Sequence, residues 1–123
     1  MIFGVGCDLC EISRIEKTDE RFLKRCFTEK ERELFKKKHN AAQTIAANFA
    51  AKEAFSKAVG TGMRDFFFND IEVLRDGLGK PYINLYGGAK EKYDELKISA
   101  SFVSISHTKE LAMAYVVLEK ENL

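Results

Sequence analysis

An alanine-rich segment that ends between two glycines most constrains how this chain can fold. Residues 49–62 read FAAKEAFSKAVGTG, and Asn40 upstream is a residue type that caps helix N-termini. Gly60 suits the left-handed conformation in which many helices end. We therefore predict one long helix that begins after Asn40 and ends near Val59. Its small side chains leave room around the few charged residues that it carries.

The segments before this helix predict one short strand and three short helices. Thr18 is placed to cap the second helix, and the sequence TEKE, from Thr28 to Glu31, is a capping box that opens the third. The predicted strand covers residues 2–6, with Asp8 directly after it, and the predicted helices cover residues 9–17, 19–27 and 29–38.

The segments after the long helix change to a two-residue period, which is typical of strands. The turn sequence RDGLGK predicts a hairpin between the first two of them. The predicted strands cover residues 70–74, 81–85, 101–106 and 111–119, and a short helix covers residues 87–96. The 123 residues thus predict a single α+β domain, residues 1–123, in which an antiparallel sheet packs with one long and several short helices.

Composition narrows the location and the partners of the chain. The net charge of +1 excludes a chain that is basic throughout, so an electrostatic partner must meet a local patch. No apolar run approaches the roughly 20 residues of a membrane-spanning helix, and the first residues lack a basic leader. We expect a cytoplasmic protein without a membrane partner.

The three cysteines fit reduced thiols better than a disulfide framework, because their number is odd and their spacing uneven. Cys7 and Cys10 form a C-x-x-C pair. A zinc site would need two further ligands, and Cys26, His39 and His107 stand at irregular spacing. A packing role is favoured over a zinc or redox role.

Two acidic residues and a lysine are the first candidates for chemistry. Glu53 and Lys57 are one helical turn apart, which by itself describes a helix-stabilising pair worth about 0.2–0.5 kcal/mol. Asp8 follows a strand thinned by Gly4 and Gly6, and its alternative role is to cap the next helix. If Asp8 and Glu53 converge, their oxygens suit Mg²⁺, which takes substrate phosphates as further ligands. Spacing along the chain leaves that convergence open.

Two further segments are candidates for binding a phosphate. Residues 60–62 (Gly-Thr-Gly) present backbone N–H groups without Cβ obstruction. Ser104 and Ser106 share one face of a predicted strand that ends at His107, and the alternative is an ordinary polar strand face. A serine hydrolase is disfavoured, because neither serine lies in a G-x-S-x-G elbow and no orienting acid stands beside His107.

Positive charge is concentrated between residues 14 and 38, which hold ten of the twenty Lys and Arg but six of the nineteen Asp and Glu. Arg21 and Arg25 are i, i+4 neighbours, and Arg14 shares their face if the first two helices are nearly continuous. Such a face is either solvated or docks an acidic protein. Nucleic acid is disfavoured, because no aromatic stacking platform accompanies the arginines.

Together, these segments resemble the holo-[acyl-carrier-protein] synthase family of the 4′-phosphopantetheinyl transferase superfamily. The resemblance runs from about Ile2 to Glu119, and its most specific parts are the G-x-D at Asp8 and the K-E-A-x-x-K-A-x-G-T-G of the long helix. The matching segments are, in order, GVGCDLCEISRIEK, FTEKERELF, FAAKEAFSKAVGTG, GKPYINL and SISHTKELAMAYVVLE.

The resemblance implies the 4′-phosphopantetheinyl transferase fold and an enzyme of fatty acid biosynthesis. Members transfer the 4′-phosphopantetheine group from coenzyme A to a serine of apo acyl carrier protein and release adenosine 3′,5′-bisphosphate. The implied cofactor is Mg²⁺, with Mn²⁺ as an alternative. The implied assembly is a homotrimer with its sites between adjacent subunits. The competing hypotheses are a non-catalytic module that binds an acidic protein through its arginine face, a nucleic-acid binder and a metal-dependent phosphohydrolase.

The resemblance also implies roles for individual residues. Asp8 and Glu53 would hold Mg²⁺ and, with Lys57, would be catalytic. Arg14, Arg21 and Arg25 would face the acidic helix of the carrier protein. The implied coenzyme A contacts are Asn48, Lys52, Lys57, Gly60, Thr61, Gly62, Lys80, Pro81, Ser104, Ser106 and His107.

One position departs from the family pattern. The family has arginine immediately before FAAKEA, where it helps to bind the 3′-phosphate, and here the residue is Asn48. A neutral amide gives no charge-assisted hydrogen bond, so this contact must be weaker or must come from Lys52, His107 or a neighbouring subunit. The segment EKTDERF between the first two helices is also shorter than is common in the family, which affects the placement of Arg21 and Arg25.

Overall fold

The computed structural model describes residues 1–121, and the order of helices and strands follows the order predicted from the sequence. Two 3₁₀ turns, Gly62–Arg64 and Phe68–Asp70, connect the long helix to the second strand. The elements are β1 (Ile2–Glu11), α1 (Ile12–Glu16), α2 (Glu20–Cys26), α3 (Glu29–Lys37), α4 (Ala42–Val59), β2 (Ile71–Arg75), β3 (Pro81–Leu85), α5 (Gly87–Glu95), β4 (Ile98–His107) and β5 (Leu111–Lys120).

The strands form two antiparallel sheets. β1, β5 and β4 form a three-stranded sheet in that order, and β2 and β3 form a separate hairpin. In the hairpin turn, the backbone N–H groups of Leu78 and Lys80 both donate to Asp76 Oδ1 at 2.9 Å. The α+β class and the hairpin at RDGLGK are confirmed.

α4 lies close against the three-stranded sheet because two glycines in β1 leave space for it. A Cβ on Gly4 would overlap the carbonyl oxygen of Ala58. A Cβ on Gly6 would overlap the carbonyl oxygen of Ala54 and would lie 2.7 Å from the backbone nitrogen of Ala58. Ala54 and Ala58 are themselves buried, so small residues on both elements allow the two backbones to touch. Close packing of α4 on β1 therefore explains why Ala54 and Ala58 are small residues.

A buried ion pair joins α4 to α3. Lys52 Nζ donates to Glu31 Oε1 at 2.6 Å, and neither side chain is exposed. Burial raises the pKa of Glu31 and lowers the pKa of Lys52, and the attraction between the two charges opposes both shifts. Lys52 also donates to the carbonyl oxygens of Phe68 at 2.9 Å and Ile71 at 2.5 Å. All three donors of the ammonium group are thus used inside the protein.

β1 is longer than predicted, and α1 is correspondingly shorter. β1 continues through Asp8 to Glu11, because residues 4–11 pair with β5. Asp8 therefore lies inside the strand, and α1 begins after Glu11 without a side-chain cap. The alternative role of Asp8 as a helix cap is wrong.

Two predicted caps are also wrong, and one is confirmed. The carboxylate of Asp19, not the hydroxyl of Thr18, caps α2 by accepting from the backbone N–H of Phe22 at 3.1 Å. Asn40 adopts a φ of +54° and lies outside α4, whose first turn has no side-chain cap. The capping box from Thr28 to Glu31 opens α3 as predicted.

The cysteines are free thiols on different sides of the fold. Cys10 and Cys26 are buried, whereas Cys7 is exposed on the face of the three-stranded sheet away from α4. The packing role is confirmed for the two buried thiols, whereas Cys7 is not packed inside a single subunit. Within residues 1–121, no helix has both the length and the apolarity to cross a membrane.

Candidate active site

Asp8, Glu53 and Lys57 converge where β1 passes α4, and we call these three residues the carboxylate cluster. Lys57 Nζ donates to Asp8 Oδ1 at 2.9 Å and to the carbonyl oxygen of Cys7 at 3.1 Å. Glu53 lies one turn before Lys57 on α4, and its charge interacts with Asp8 and with Lys57. The close packing at Gly6 brings together carboxylates that are distant in the chain.

The carboxylate cluster is partly sheltered from solvent. The side chain of Asp8 is 19% exposed and that of Lys57 is 52% exposed, while Glu53 is half-buried. Burial raises the pKa of Glu53 and the charge of Asp8 raises it further, whereas Lys57 and Arg14 lower it. The hydrogen bond to Asp8 raises the pKa of Lys57. A cation between the two carboxylates would oppose the shift at Glu53.

These two carboxylates fit a divalent cation of the Mg²⁺ type. Mg²⁺ prefers oxygen ligands, keeps several waters, and is commonly held by one or two carboxylates together with substrate phosphates. No group of three or more His, Cys, Asp or Glu side chains that could hold a metal occurs in the described part of the chain. The site therefore offers a partial ligand set and leaves the other positions to water and phosphate oxygens.

The Gly60–Gly62 loop begins at the end of α4 that carries Lys57. The backbone N–H of Gly60 donates to the carbonyl oxygen of Ser56 at 3.1 Å and ends the helix as predicted. Gly60 and Gly62 have φ values of +98° and +65°, and no atom lies within 4 Å of where a Cβ would stand. The left-handed backbone explains both glycines. Contact of this loop, including Thr61, with coenzyme A stays a prediction.

The predicted Ser104–His107 segment divides between the two faces of the sheet. Asp8 and Ile105 are both paired with Ala114, which places them on the face covered by α4. Ser104 and Ser106 therefore point to the opposite, exposed face, and His107 returns to the α4 side at the end of β4. Within one subunit, the two serines and the carboxylate cluster lie on different faces.

Two predicted coenzyme A contacts are buried. Lys52 is committed to its ion pair, as described above. Asn48 is 0% exposed, and its amide nitrogen donates to Glu31 Oε2 at 3.0 Å and to the carbonyl oxygen of Val73 at 2.9 Å. In this conformation neither side chain reaches a ligand at the surface. We therefore correct the predicted set: Lys52 and Asn48 hold the interior together.

A cavity of about 490 Å³ lies between the start of α4, the β2–β3 turn and the end of β4. The predicted residue His107 lines it, and so does Arg75, which was not among the predicted contacts. Lys80 and Pro81 follow the same turn, with Pro81 opposite Arg75 in the hairpin. The available signal was the position of Arg75 at the start of RDGLGK, directly before those two predicted contacts.

The three predicted carrier-binding arginines are all exposed, but they do not lie on one continuous helix. Residues 17–19 interrupt the helix between α1, which carries Arg14, and α2, which carries Arg21 and Arg25. The charge of Arg14 reaches Glu53 and so lies near the carboxylate cluster. Arg25 borders an apolar groove in which the rings of Phe49 and Phe68 stack with centroids 5.1 Å apart.

Comparisons with known proteins show similarity over nearly the whole chain. The model of the 4′-phosphopantetheinyl transferase superfamily matches residues 4–116. The chain is 47% identical over 125 residues to the holo-[acyl-carrier-protein] synthase of Clostridium novyi (strain NT). The aligned segment covers 99% of this chain and 91% of that protein.

Two solved structures show the same architecture. The crystal structure of holo-[acyl-carrier-protein] synthase from Neisseria meningitidis has a TM-score of 0.89 and 36% identity, covering 98% of this chain and 100% of that one. The holo-(acyl-carrier-protein) synthase from Bacillus anthracis str. Ames, in complex with CoA (3′,5′-ADP), has a TM-score of 0.83 and 42% identity. That match covers 98% of this chain and 99% of the other.

Proposed function

This chain belongs to the holo-[acyl-carrier-protein] synthase family of the 4′-phosphopantetheinyl transferase superfamily, and we propose that the carboxylate cluster is its catalytic centre. The reaction moves the 4′-phosphopantetheine group of coenzyme A to a serine hydroxyl of apo acyl carrier protein. Adenosine 3′,5′-bisphosphate leaves as the diphosphate bond breaks. The observation that carries this assignment is the meeting of Asp8 and Glu53 beside Lys57.

The residues of the cluster match what phosphoryl transfer requires, which is mainly positioning and charge stabilisation. Asp8 and Glu53 would hold Mg²⁺, which when bound neutralises the diphosphate and the charge on the leaving oxygen. Lys57 has a raised pKa and stays protonated, so it can bind a diphosphate oxygen or give a proton to the leaving oxygen. Glu53 is a weak base while it holds a cation, so we assign the serine proton to water.

A transfer assay with two variants tests this proposal. The protein is mixed with coenzyme A, Mg²⁺ and an apo acyl carrier protein, and the carrier is weighed by mass spectrometry. We expect Asp8→Ala and Glu53→Ala each to slow the transfer by at least about a hundredfold, and chelation of Mg²⁺ to stop it. Glu91→Ala, at an exposed glutamate on α5, is the matched control. Wild-type turnover in either cluster variant would refute the site.

The exposed arginines of α1 and α2 are the part of the surface that we propose for the carrier protein. Arg14, Arg21 and Arg25 are free to meet acidic side chains, because all three are exposed. Arg14 lowers the pKa of Glu53, and this proximity supports a carrier-binding surface that begins beside the carboxylate cluster. A carrier bound there would present its serine near the diphosphate.

The exposed face of the three-stranded sheet supports the proposed homotrimer. Val5, Leu9, Phe102 and Tyr115 are between 43% and 60% exposed on the face that α4 does not cover. Ser104 and Ser106 share this face, so they can contribute to a coenzyme A site only at the carboxylate cluster of a neighbouring subunit. Contact between copies would bury the apolar side chains and complete the site.

Sedimentation of the wild type and of Tyr115→Asp tests the assembly. We expect a trimer for the wild type and a smaller, inactive species for the variant, because a carboxylate would be buried without a partner. A monomeric wild type with full activity would refute the shared site. The cytoplasmic location, the role in fatty acid biosynthesis and the use of Mn²⁺ in place of Mg²⁺ are further parts of the proposal.

A further inference from the structure

One carboxylate of the cluster is bound by a cation that the chain itself supplies. Lys57 Nζ donates to Asp8 Oδ1 at 2.9 Å and to the carbonyl oxygen of Cys7 at 3.1 Å. Both acceptors belong to β1, which is an edge strand of the three-stranded sheet. Two cations beside one carboxylate repel each other. The ammonium group of Lys57 therefore competes with any metal ion that binds Asp8.

The charged side chains of the cluster balance one another once Arg14 is included. When ionised, the carboxylates of Asp8 and Glu53 are matched by the positive charges of Lys57 and Arg14, both of which act on Glu53. A divalent cation added alone would leave an excess of positive charge in a partly sheltered site. A diphosphate diester carries as many negative charges as a divalent cation carries positive ones. A cation that enters together with coenzyme A therefore keeps the site neutral.

Lys57 can leave Asp8 at little cost in free energy. Its side chain is 52% exposed, and its bonds to Asp8 and to the Cys7 carbonyl are the only hydrogen bonds that it makes within residues 1–121. An exposed ion pair contributes little to stability, because water competes for both partners. Lys52 on the same helix is different, because it is fully buried in its ion pair with Glu31. Exposure thus permits a movement of Lys57 that burial prevents at Lys52.

A second position for the ammonium group of Lys57 lies on the same face of α4. Glu53 and Lys57 are one helical turn apart, and the Cβ atoms of such neighbours are about 6 Å from each other. A diphosphate held through a cation at Glu53 is therefore within reach of the Lys57 side chain. Rotation about the side-chain bonds of Lys57 is enough to change its partner, so α4 itself need not move.

We propose that Lys57 takes the place of the metal ion at Asp8 in the free enzyme, and that it moves to the diphosphate when Mg²⁺ and coenzyme A bind together. This inference rests on the proposed function, because it takes the diphosphate of coenzyme A to bind beside the carboxylate cluster. Free Mg²⁺ has to displace the ammonium group and finds no anion that balances its charge. The enzyme therefore binds the cation weakly by itself and tightly with its substrate.

Binding of Mn²⁺ in the absence of carrier protein tests this exchange. Mn²⁺ takes the same oxygen ligands as Mg²⁺, and the paramagnetic resonance signal of the unbound ion gives its dissociation constant. Without coenzyme A, we expect Lys57→Met to bind Mn²⁺ roughly three- to tenfold more tightly than the wild type, because the competing ammonium group is gone. With saturating coenzyme A, and after correction for Mn²⁺ bound by coenzyme A in solution, we expect the variant to bind Mn²⁺ more weakly than the wild type by a similar factor.

Two control variants separate the exchange from a general effect of charge. Lys90→Met removes a lysine from an exposed ion pair with Asp94 on α5, and it should leave both dissociation constants unchanged. Arg14→Met removes a positive charge that acts on Glu53 from a distance, so it should tighten Mn²⁺ binding less than Lys57→Met does in buffer with salt. Equal tightening by the Arg14 and Lys57 variants would assign the effect to charge alone and would overturn the proposal.

The signs of the two changes in Lys57→Met decide the outcome. Tighter Mn²⁺ binding without coenzyme A together with weaker binding in its presence supports the exchange. Unchanged or weaker binding without coenzyme A would overturn it, and so would tighter binding under both conditions. A wild type that shows the exchange but transfers nothing to apo acyl carrier protein would refute the proposed function and leave this role of Lys57 standing. A wild type that transfers the group without the exchange would refute this inference alone.

Discussion

Replacing Gly6 with alanine should separate the two carboxylates without altering either of them. The new Cβ would overlap the carbonyl oxygen of Ala54, and it would lie 2.7 Å from the backbone nitrogen of Ala58. A carbon atom needs about 3.5 Å to such neighbours, so α4 must move away from β1 by roughly 1–1.5 Å. The obstructing atoms belong to the helix backbone, so no side-chain rotation can relieve the contact.

A shift of this size is large for the carboxylate cluster. The hydrogen bond from Lys57 to Asp8 is 2.9 Å long, and an added 1 Å or so would take it beyond hydrogen-bonding range. Misplacement of catalytic groups by about 1 Å reduces turnover by roughly a hundredfold. Overpacking of this kind also costs about 1–3 kcal/mol of the free energy of unfolding.

The transfer assay and urea unfolding together measure both effects in Gly6→Ala. Gly77→Ala is the matched control, because Gly77 has no atom within 4 Å of its Cβ position and no positive φ. We expect the control to keep wild-type turnover and stability within experimental error. Gly6→Ala with full turnover and unchanged stability would show that close packing of α4 on β1 does not set the geometry of the site.

Three further changes test other parts of the structure. Lys52→Met leaves the buried carboxylate of Glu31 without its partner. We expect urea titrations to show a free energy of unfolding that is lower by about 3–5 kcal/mol. A loss below about 1 kcal/mol would contradict the buried ion pair. Arg21→Glu and Arg25→Glu should each raise the KM for apo acyl carrier protein at low salt and leave the KM for coenzyme A nearly unchanged. Lys90→Glu is the charge-matched control. Equal effects on both substrates would refute the docking of the carrier protein at these arginines. Glu53→Gln should be more stable than the wild type without Mg²⁺, by an amount that grows as the pH rises above about 4, where the glutamate of the unfolded chain ionises. The raised pKa of Glu53 makes the folded state bind more protons than the unfolded state, so wild-type stability falls as pH rises through that pKa, and a difference independent of pH would contradict the shift.

Local sequence signals predicted most of the elements, because the interactions that produce them are local. The capping box from Thr28 to Glu31 and the left-handed end of α4 at Gly60 involve neighbours in the chain, and both are confirmed. The predictions failed where distant segments compete with local preference. Pairing with β5 extends β1 through Asp8. The cap of α2 was misplaced by one residue, Asp19 instead of Thr18, and that error is a local one.

The candidate site divides in the same way. Asp8, Glu53 and Lys57 were predicted from residue type and position, and the structure brings them together. Lys52 belongs to the same motif as Glu53 and Lys57, yet it is buried in an ion pair. Its burial was not predicted, because a sequence motif does not show which way a side chain points. Arg75 was missed, because its contact with α4 joins segments that are distant in the chain.

The sequence by itself determined the order of the elements, the α+β class and the identity of the acidic pair. It determined these because helix periodicity, caps, turns and residue chemistry act over a few neighbouring residues. Only the tertiary structure decided that Lys52 and Asn48 point inward, that Ser104 and the carboxylate cluster occupy opposite faces of a sheet, and that Arg75 lines a cavity. Those outcomes depend on how closely α4 packs against its neighbours. That distance is set by contacts between glycines of β1 and alanines of α4, and no single stretch of sequence contains both.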